Sequence, residues 1–163
     1  MTIDGAFQHR VGPKDLILSI IGDIGADGAN YLACEFRGEA AERMSIPERM
    51  TVSNMAIEMG AKVGIFPADQ TTRNYLQERV RDRGAIEAGI FEGDEDASFS
   101  RREWDVSDLE PQIAMPHNVD NVLPISQVPE VRIDQVFLGS CTNGRFEDLQ
   151  LASEMMRGEP LAK

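Results

Sequence analysis

A chain of 163 residues, 42% hydrophobic and 27% charged, has the composition of an ordinary globular protein and enough length for one good core or two small lobes. Its 16 Lys and Arg against 28 Asp and Glu leave a net charge of −12, which argues against non-specific binding to nucleic acid or to an anionic membrane surface. No window approaches a membrane span, and the amino terminus lacks a basic segment followed by an apolar stretch. Only Cys34 and Cys141 are present, so the expectation is a cytoplasmic protein in a reducing compartment, without a disulfide framework.

In chain order, Met1 to Gly12 suggests a short strand and turn. Pro13 follows where a first helical turn tolerates it, and Leu16, Ile17, Ile20, Ile21 and Ile24 recur at helical spacing. The spacing predicts an amphipathic helix over 14–24 that Gly25 and Gly28 end. Leu32, Cys34 and Phe36 alternate with Tyr31, Ala33 and Glu35, the period of a strand with one buried face. Cys34 falls on that face, where a small hydrophobe is a better reading than a reactive thiol.

Ser45-Ile46-Pro47-Glu48 has the form of a capping box, and a helix starting there runs through Met50, Asn54 and Glu58 to stop near Gly60. Asn54 and Glu58, four apart, share one face. On pattern alone, a solvated polar surface accounts for the pair better than a site does. Val63 to Phe66 is a short apolar strand ended by Pro67, and Thr71 or Thr72 is placed to cap a charged helix reaching about Arg83. The Gly-rich and acidic stretch over 84–100 is expected to divide the chain into two lobes, 1–90 and 91–163. It lacks the spacing of a calcium-binding loop.

Beyond it, Phe99 to Val106 resumes strand character, Ser107 to Pro111 makes a turn, and His117 sits between Pro116 and Asn118. A histidine there serves as acid, base or ligand in some proteins, and as a turn residue in more. His9 has no constellation around it. The second lobe then centres on Ile133 to Leu138, apolar enough for a buried strand, followed by Gly139-Ser140-Cys141-Thr142-Asn143-Gly144-Arg145. A helix carrying Phe146, Leu149, Ala152, Met155 and Met156 comes next, ended by Gly158 and Pro160. Loops of this kind, at the C-terminal ends of strands, expose reactive groups, and the N–H groups of the next helix favour an anion such as a thiolate. The expected fold is α/β, three layers with a mainly parallel or mixed sheet.

Gly139 to Arg145 with Glu147-Asp148-Leu149 resembles the first iron–sulfur cysteine motif of the aconitase superfamily, in the form found in large subunits of 3-isopropylmalate dehydratase and homoaconitase. A second block, Glu48 to Lys62, is similar to the superfamily segment in which an asparagine and a glutamate project towards the cluster and its substrate. Ser53 stands where relatives commonly have a cysteine that is not a ligand. Pro116-His117-Asn118-Val119 resembles a segment of the same relatives, without making His117 catalytic.

The resemblance implies a [4Fe–4S] cluster with Cys141 as one ligand, and Asn54 and Glu58 as catalytic residues. Asn54 would hydrogen-bond near the cluster or substrate, and Glu58 would assist the hydroxyl or water. Asn143 and Arg145 become candidate substrate-binding residues, although the Arg145 guanidinium serves equally to brace Asp148 or Glu147. Only one acid, Asp69, follows Pro67, where relatives usually show a pair.

The implied substrate is a small hydroxy acid of the 3-isopropylmalate or homoaconitate type, isomerised by removing and returning water. Cys141 supplies a single thiolate, Cys34 matches no family ligand, and no C-x-x-C pair follows. Relatives carry that pair further along, their histidine and aspartate motifs upstream, and a catalytic serine and arginine on a swivelling domain or small subunit. The expectation is therefore the central fragment of a large subunit, inactive and without a complete cluster site alone, with the remainder of the enzyme as partner. A binding or assembly module without chemistry is the rival. Cys141 as an independent nucleophile lacks a suitably spaced histidine and acid.

Overall fold

The helix foreseen from the leucine and isoleucine spacing is α1, Pro13–Ile24, in the computed structural model of the chain, which describes residues 1–90, 97 and 99–158. Its stripe of Leu16, Ile17, Leu18, Ile20 and Ile21 is buried, each side chain contributing on the order of 1.5–3 kcal/mol of gross apolar burial. Asp15, in the first turn, accepts from the Gly12 N–H at 2.8 Å and from the Gln112 N–H at 2.8 Å, so one carboxylate both caps the helix and ties it to a distant strand.

The class is α/β, with parallel and antiparallel pairs. Strand β1, Thr2–Asp4, runs parallel to β4, Glu103–Asp105, and β2, Ala33–Glu35, runs parallel to β3, Val63–Ile65. A parallel bridge from Thr2 to Arg37, just past β2, joins the two ladders. β5, Gln112–Ala114, and β6, Val122–Pro124, form an antiparallel pair. The predicted inward face of β2 holds at Cys34 and Phe36, both buried, whereas Leu32, before the strand begins, is half exposed. Phe36, Ile3, Val52, Met59 and Val106 meet the α1 stripe in a single core. Among the described residues no helix is long and apolar enough to cross a membrane.

Two compact units are present, Met1–Val128 and Pro129–Lys163. The whole acidic run Glu92 to Asp96 within the expected 84–100 junction, like Pro160, lies outside the described residues. In the first unit a five-residue helix α2, Glu39–Arg43, precedes α3, Ile46–Met55. The capping box is realised through Glu48, whose carboxylate accepts from both the N–H and the hydroxyl of Ser45 at 2.7 Å. After Met55 the chain tightens into a 3-10 turn, Ala56–Met59, and stops at Gly60.

The next helix, α4, spans Gln70–Gln77 and is capped by Asp69 rather than by a threonine: its carboxylate accepts from the Thr72 N–H at 3.0 Å. Helix α5, Arg83–Ala88, is a separate element capped by Asp82. The chain therefore breaks where one helix to Arg83 was expected.

Asp69 also receives the buried Arg49 guanidinium, at 2.9 Å to Oδ1 and 2.5 Å to Oδ2. That hydrogen-bonded pairing, helped by Thr72, holds its pKa down to about 2, from an ordinary 3.8. A depressed carboxylate contributes stability fully above its ordinary pKa and loses it as the pH falls through the folded value. Acid unfolding followed by circular dichroism should show wild type losing this contribution between about pH 4 and pH 2. Asp69→Asn should lack that segment and be less stable at neutral pH by ~1–3 kcal/mol, below the full cost of breaking a buried pair because Asp69 is 34% exposed. Equal stability of the two proteins at pH 7 would refute the pairing.

Candidate functional site

Within Pro129–Lys163 the elements are an extended segment to Leu138, the loop Gly139 to Arg145, and helix α6, Phe146–Met156. The segment expected as a buried strand is not one. Among the described residues no ladder includes it, and Phe137 is 85% exposed. Strand geometry needs a neighbour for its N–H and C=O groups, and apolar character alone does not supply one.

The loop itself is closed. Gly139 and Gly144 have φ of 101° and 142°, a region that disfavours side chains, and the Ser140 N–H donates to the Asn143 carbonyl between them. Asp148, at the third position of α6, gathers three donors. The Gly144 and Arg145 N–H groups donate to Oδ2, each at 2.9 Å, and Asn143 Nδ2 donates to Oδ1 at 3.1 Å. Partial burial pushes the Asp148 pKa up, but the hydrogen bonds from Gly144, Arg145 and Asn143 outweigh it and the net direction is down. Arg145 Nη1 donates to the Thr142 carbonyl at 3.0 Å, which ties the guanidinium into the loop.

Cys141 is exposed at this loop, and the Ser140 hydroxyl donates to its sulfur at 3.7 Å. Hydrogen bonds from the Ser140 and then the Thr142 side chain hold its pKa below the usual thiol value. Contrary to the expectation, the groups that hold the thiol down are not N–H groups of α6: the Ser140 and Thr142 side chains lead, the Cys141 and Thr142 N–H groups add to them, and the Gly144 and Arg145 N–H groups just ahead of α6 go to Asp148. The organising role of Asp148 went unread in the sequence, although Arg145 and Asp148 have the same three-residue spacing as Ser45 and Glu48.

In the first unit, Asn54 lies in the last turn of α3 and Glu58 in the following 3-10 turn, both exposed, while Val52, Met55, Ala56 and Met59 from the same stretch are buried. The polar pair thus lies off the buried stripe, on one continuous helical segment. Cys34 is 5% exposed in the core, and burial pushes its thiol up, as suits a packed, unreactive group. His117 and His9 both occupy exposed turns. Among the described residues no group of three or more His, Cys, Asp or Glu is arranged to hold a metal ion.

The fold and the loop together define a class: an α/β protein presenting an acidified, accessible thiol on a closed turn before a helix. The model of the aconitase family (aconitate hydratase) matches residues 1–163, and the chain belongs to that family. It is 52% identical over 162 residues to a probable 3-isopropylmalate dehydratase large subunit from Methanosarcina mazei, covering 99% of this chain and 38% of that protein. With a 3-isopropylmalate dehydratase large subunit from Archaeoglobus fulgidus identity is 49%, covering 98% of this chain and 38% of the relative. With that of Methanoregula boonei it is 54%, covering 94% and 36%. The chain spans little more than a third of the length of these relatives.

The two thiols should separate chemically. Iodoacetamide applied to the native chain should modify Cys141 and spare Cys34, with both labelled after denaturation. The Cys141 rate should reach half its maximum at a lower pH than in the unfolded chain, and Ser140→Ala should move that midpoint up. Labelling of Cys34 first, or a midpoint no lower than in the unfolded chain, would refute the loop's effect on the thiol.

Proposed function

We propose that this chain is the central part of an iron–sulfur-dependent hydro-lyase large subunit that isomerises a hydroxy acid of the 3-isopropylmalate type by dehydration and rehydration. The observation that carries the reading is the exposed, acidified Cys141 on its closed loop, in a chain about half identical to 3-isopropylmalate dehydratase large subunits over nearly its whole length. A [4Fe–4S] cluster, when bound, supplies a Lewis acid for a substrate hydroxyl and carboxylate. Cys141 would be one of its ligands, and the others would come from the rest of the large subunit.

This chain's own residues take the remaining roles. Glu58, a solvent-facing carboxylate, would move a proton to or from the departing or returning water. Asn54, one helical turn before it, would hold the substrate by hydrogen bonding. Asn143 and Arg145 would meet a substrate carboxylate beside the thiol, Arg145 contributing the fork geometry that suits it.

The partners proposed are the remainder of the large subunit and a small subunit bearing the swivelling domain. Large apolar side chains left open on the second unit support this: Val131, Ile133, Val136, Phe137 and Leu138 before the loop, and Phe146, Leu151 and Met156 on α6. The same open faces, with one thiol in place of a full ligand set, favour a second reading in which the chain is an assembly module without chemistry.

Anaerobic reconstitution with iron and sulfide distinguishes the two. Wild type and Cys141→Ala are compared alone and with polypeptides supplying the rest of the large subunit, its C-x-x-C segment included, and the small subunit. Visible cluster absorbance that requires both Cys141 and the added segment, followed by turnover of 3-isopropylmalate that Glu58→Gln lowers by about 100-fold or more, is the expected result. Turnover by the chain alone would overturn the shared-site reading. Absence of a cluster in every combination, from folded protein, would leave the assembly module.

A further inference from the structure

We propose that Asp148 is the positioning residue of the cysteine loop: its carboxylate fixes the turn that sets the Cys141 thiol outward for its metal. The inference rests on the reading of Cys141 as a cluster ligand, and it concerns a residue with no part in the chemistry assigned above. Three donors from three successive residues converge on the one carboxylate, Asn143 Nδ2 at 3.1 Å and the Gly144 and Arg145 N–H groups at 2.9 Å. Those bonds fix the second half of the loop. The first half is then held through it, because Ser140 donates its N–H to Asn143 and Arg145 donates to the Thr142 carbonyl.

The Asn143 amide and the Gly144 and Arg145 N–H groups are in this way drawn around Asp148, and the thiol beside them is exposed. The two loop glycines permit the closure but do not enforce it. A Cβ on Gly144 would come within 3.2 Å of the Gly139 Cα, so the loop ends pack closely once the carboxylate has gathered them. A charged acceptor holds such donors more strongly than a neutral one, which is why an acid suits the position. The protein uses the same device at α3, where Glu48 reaches back to the Ser45 N–H at 2.7 Å.

The experiment compares the full chain carrying Asp148→Ala, Asp148→Glu or Cys141→Ala with wild type. Amide hydrogen exchange is read at Gly144 and Arg145, with the amides of α1 as an internal control of folding. Iron content and visible absorbance are read after adding ferrous iron, sulfide and the polypeptide with the remaining cysteines.

In Asp148→Ala, exchange at the two amides is expected to rise about tenfold or more with α1 unchanged, and iron uptake to fall several-fold. Asp148→Glu, able to reach the Arg145 N–H as Glu48 reaches Ser45, is expected to recover most of the uptake. Wild-type exchange or wild-type iron uptake in Asp148→Ala overturns the proposal, as does faster exchange in that variant without loss of iron. Cys141→Ala separates the two inferences: unchanged uptake there defeats the cluster reading, whereas unchanged uptake in Asp148→Ala alone defeats the positioning role.

Discussion

The Arg49 guanidinium, with only 5% of the residue exposed, spreads its donors over Glu42, Met44, Asp69 and Thr72. Nε donates to the Met44 carbonyl at 3.0 Å and Nη2 to the Glu42 carbonyl at 2.9 Å, so the end of α2 is stitched to α3. Both Nη atoms reach Asp69, and Nη1 also reaches Thr72 Oγ1 at 3.4 Å, bringing the start of α4 to the same point. A charge this deep costs several kcal/mol unless it is paired and its protons are used, and here both conditions are met. The Phe66 ring, 5.7 Å from the guanidinium carbon, stacks on Phe36, so the polar cluster continues directly into the core. Helix α3 is thereby anchored near its start, with Asn54 in its last turn and Glu58 in the 3-10 turn that follows.

Periodicity made most of the first unit legible. The α1 stripe, the buried face of β2 and the Ser45 box with its helix to Gly60 are all local patterns, and local patterns survive folding when the burial they imply is available. Arg49 and Asp69 were not legible as a pair. They stand twenty residues apart, and an arginine inside an otherwise ordinary helix carries no mark of burial; only the packing of α2, α3 and α4 around it creates one. Helix α2 was missed because five residues are too few to establish a period. Asp69, rather than Thr71 or Thr72, became the cap of α4 because it precedes the helix and serves the Thr72 N–H and Arg49 together.

The cysteine loop shows how a motif can be located correctly and its electrostatics assigned wrongly. Sequence placed a thiol before a helix, and a helix N-terminus is a general anion site. Which anion occupies it is a matter of competition. Asp148 is covalently part of the helix and takes the Gly144 and Arg145 N–H groups just ahead of it, while the sulfur is served by the Ser140 and Thr142 side chains and by the Cys141 and Thr142 N–H groups. The acid at the third helical position was the signal, visible in the spacing already used at Ser45 and Glu48.

The same unit exposes a limit on what apolar character predicts. Pro129–Lys163 is shorter than the roughly 40 residues below which a chain usually needs a metal, a disulfide or a partner to hold a fold. None of its described residues is buried, although large apolar side chains line both the segment before the loop and α6. Hydrophobicity in Ile133 to Leu138 therefore marks a surface to be covered, and the strand it suggests requires the cover to form. The Asp148 network works at a different scale, with bonds spanning five residues at most, so it shapes the loop without a core beneath it. A loop ordered in advance lowers the entropy cost of holding a ligand there, and that saving appears in affinity even where no core lies beneath the loop.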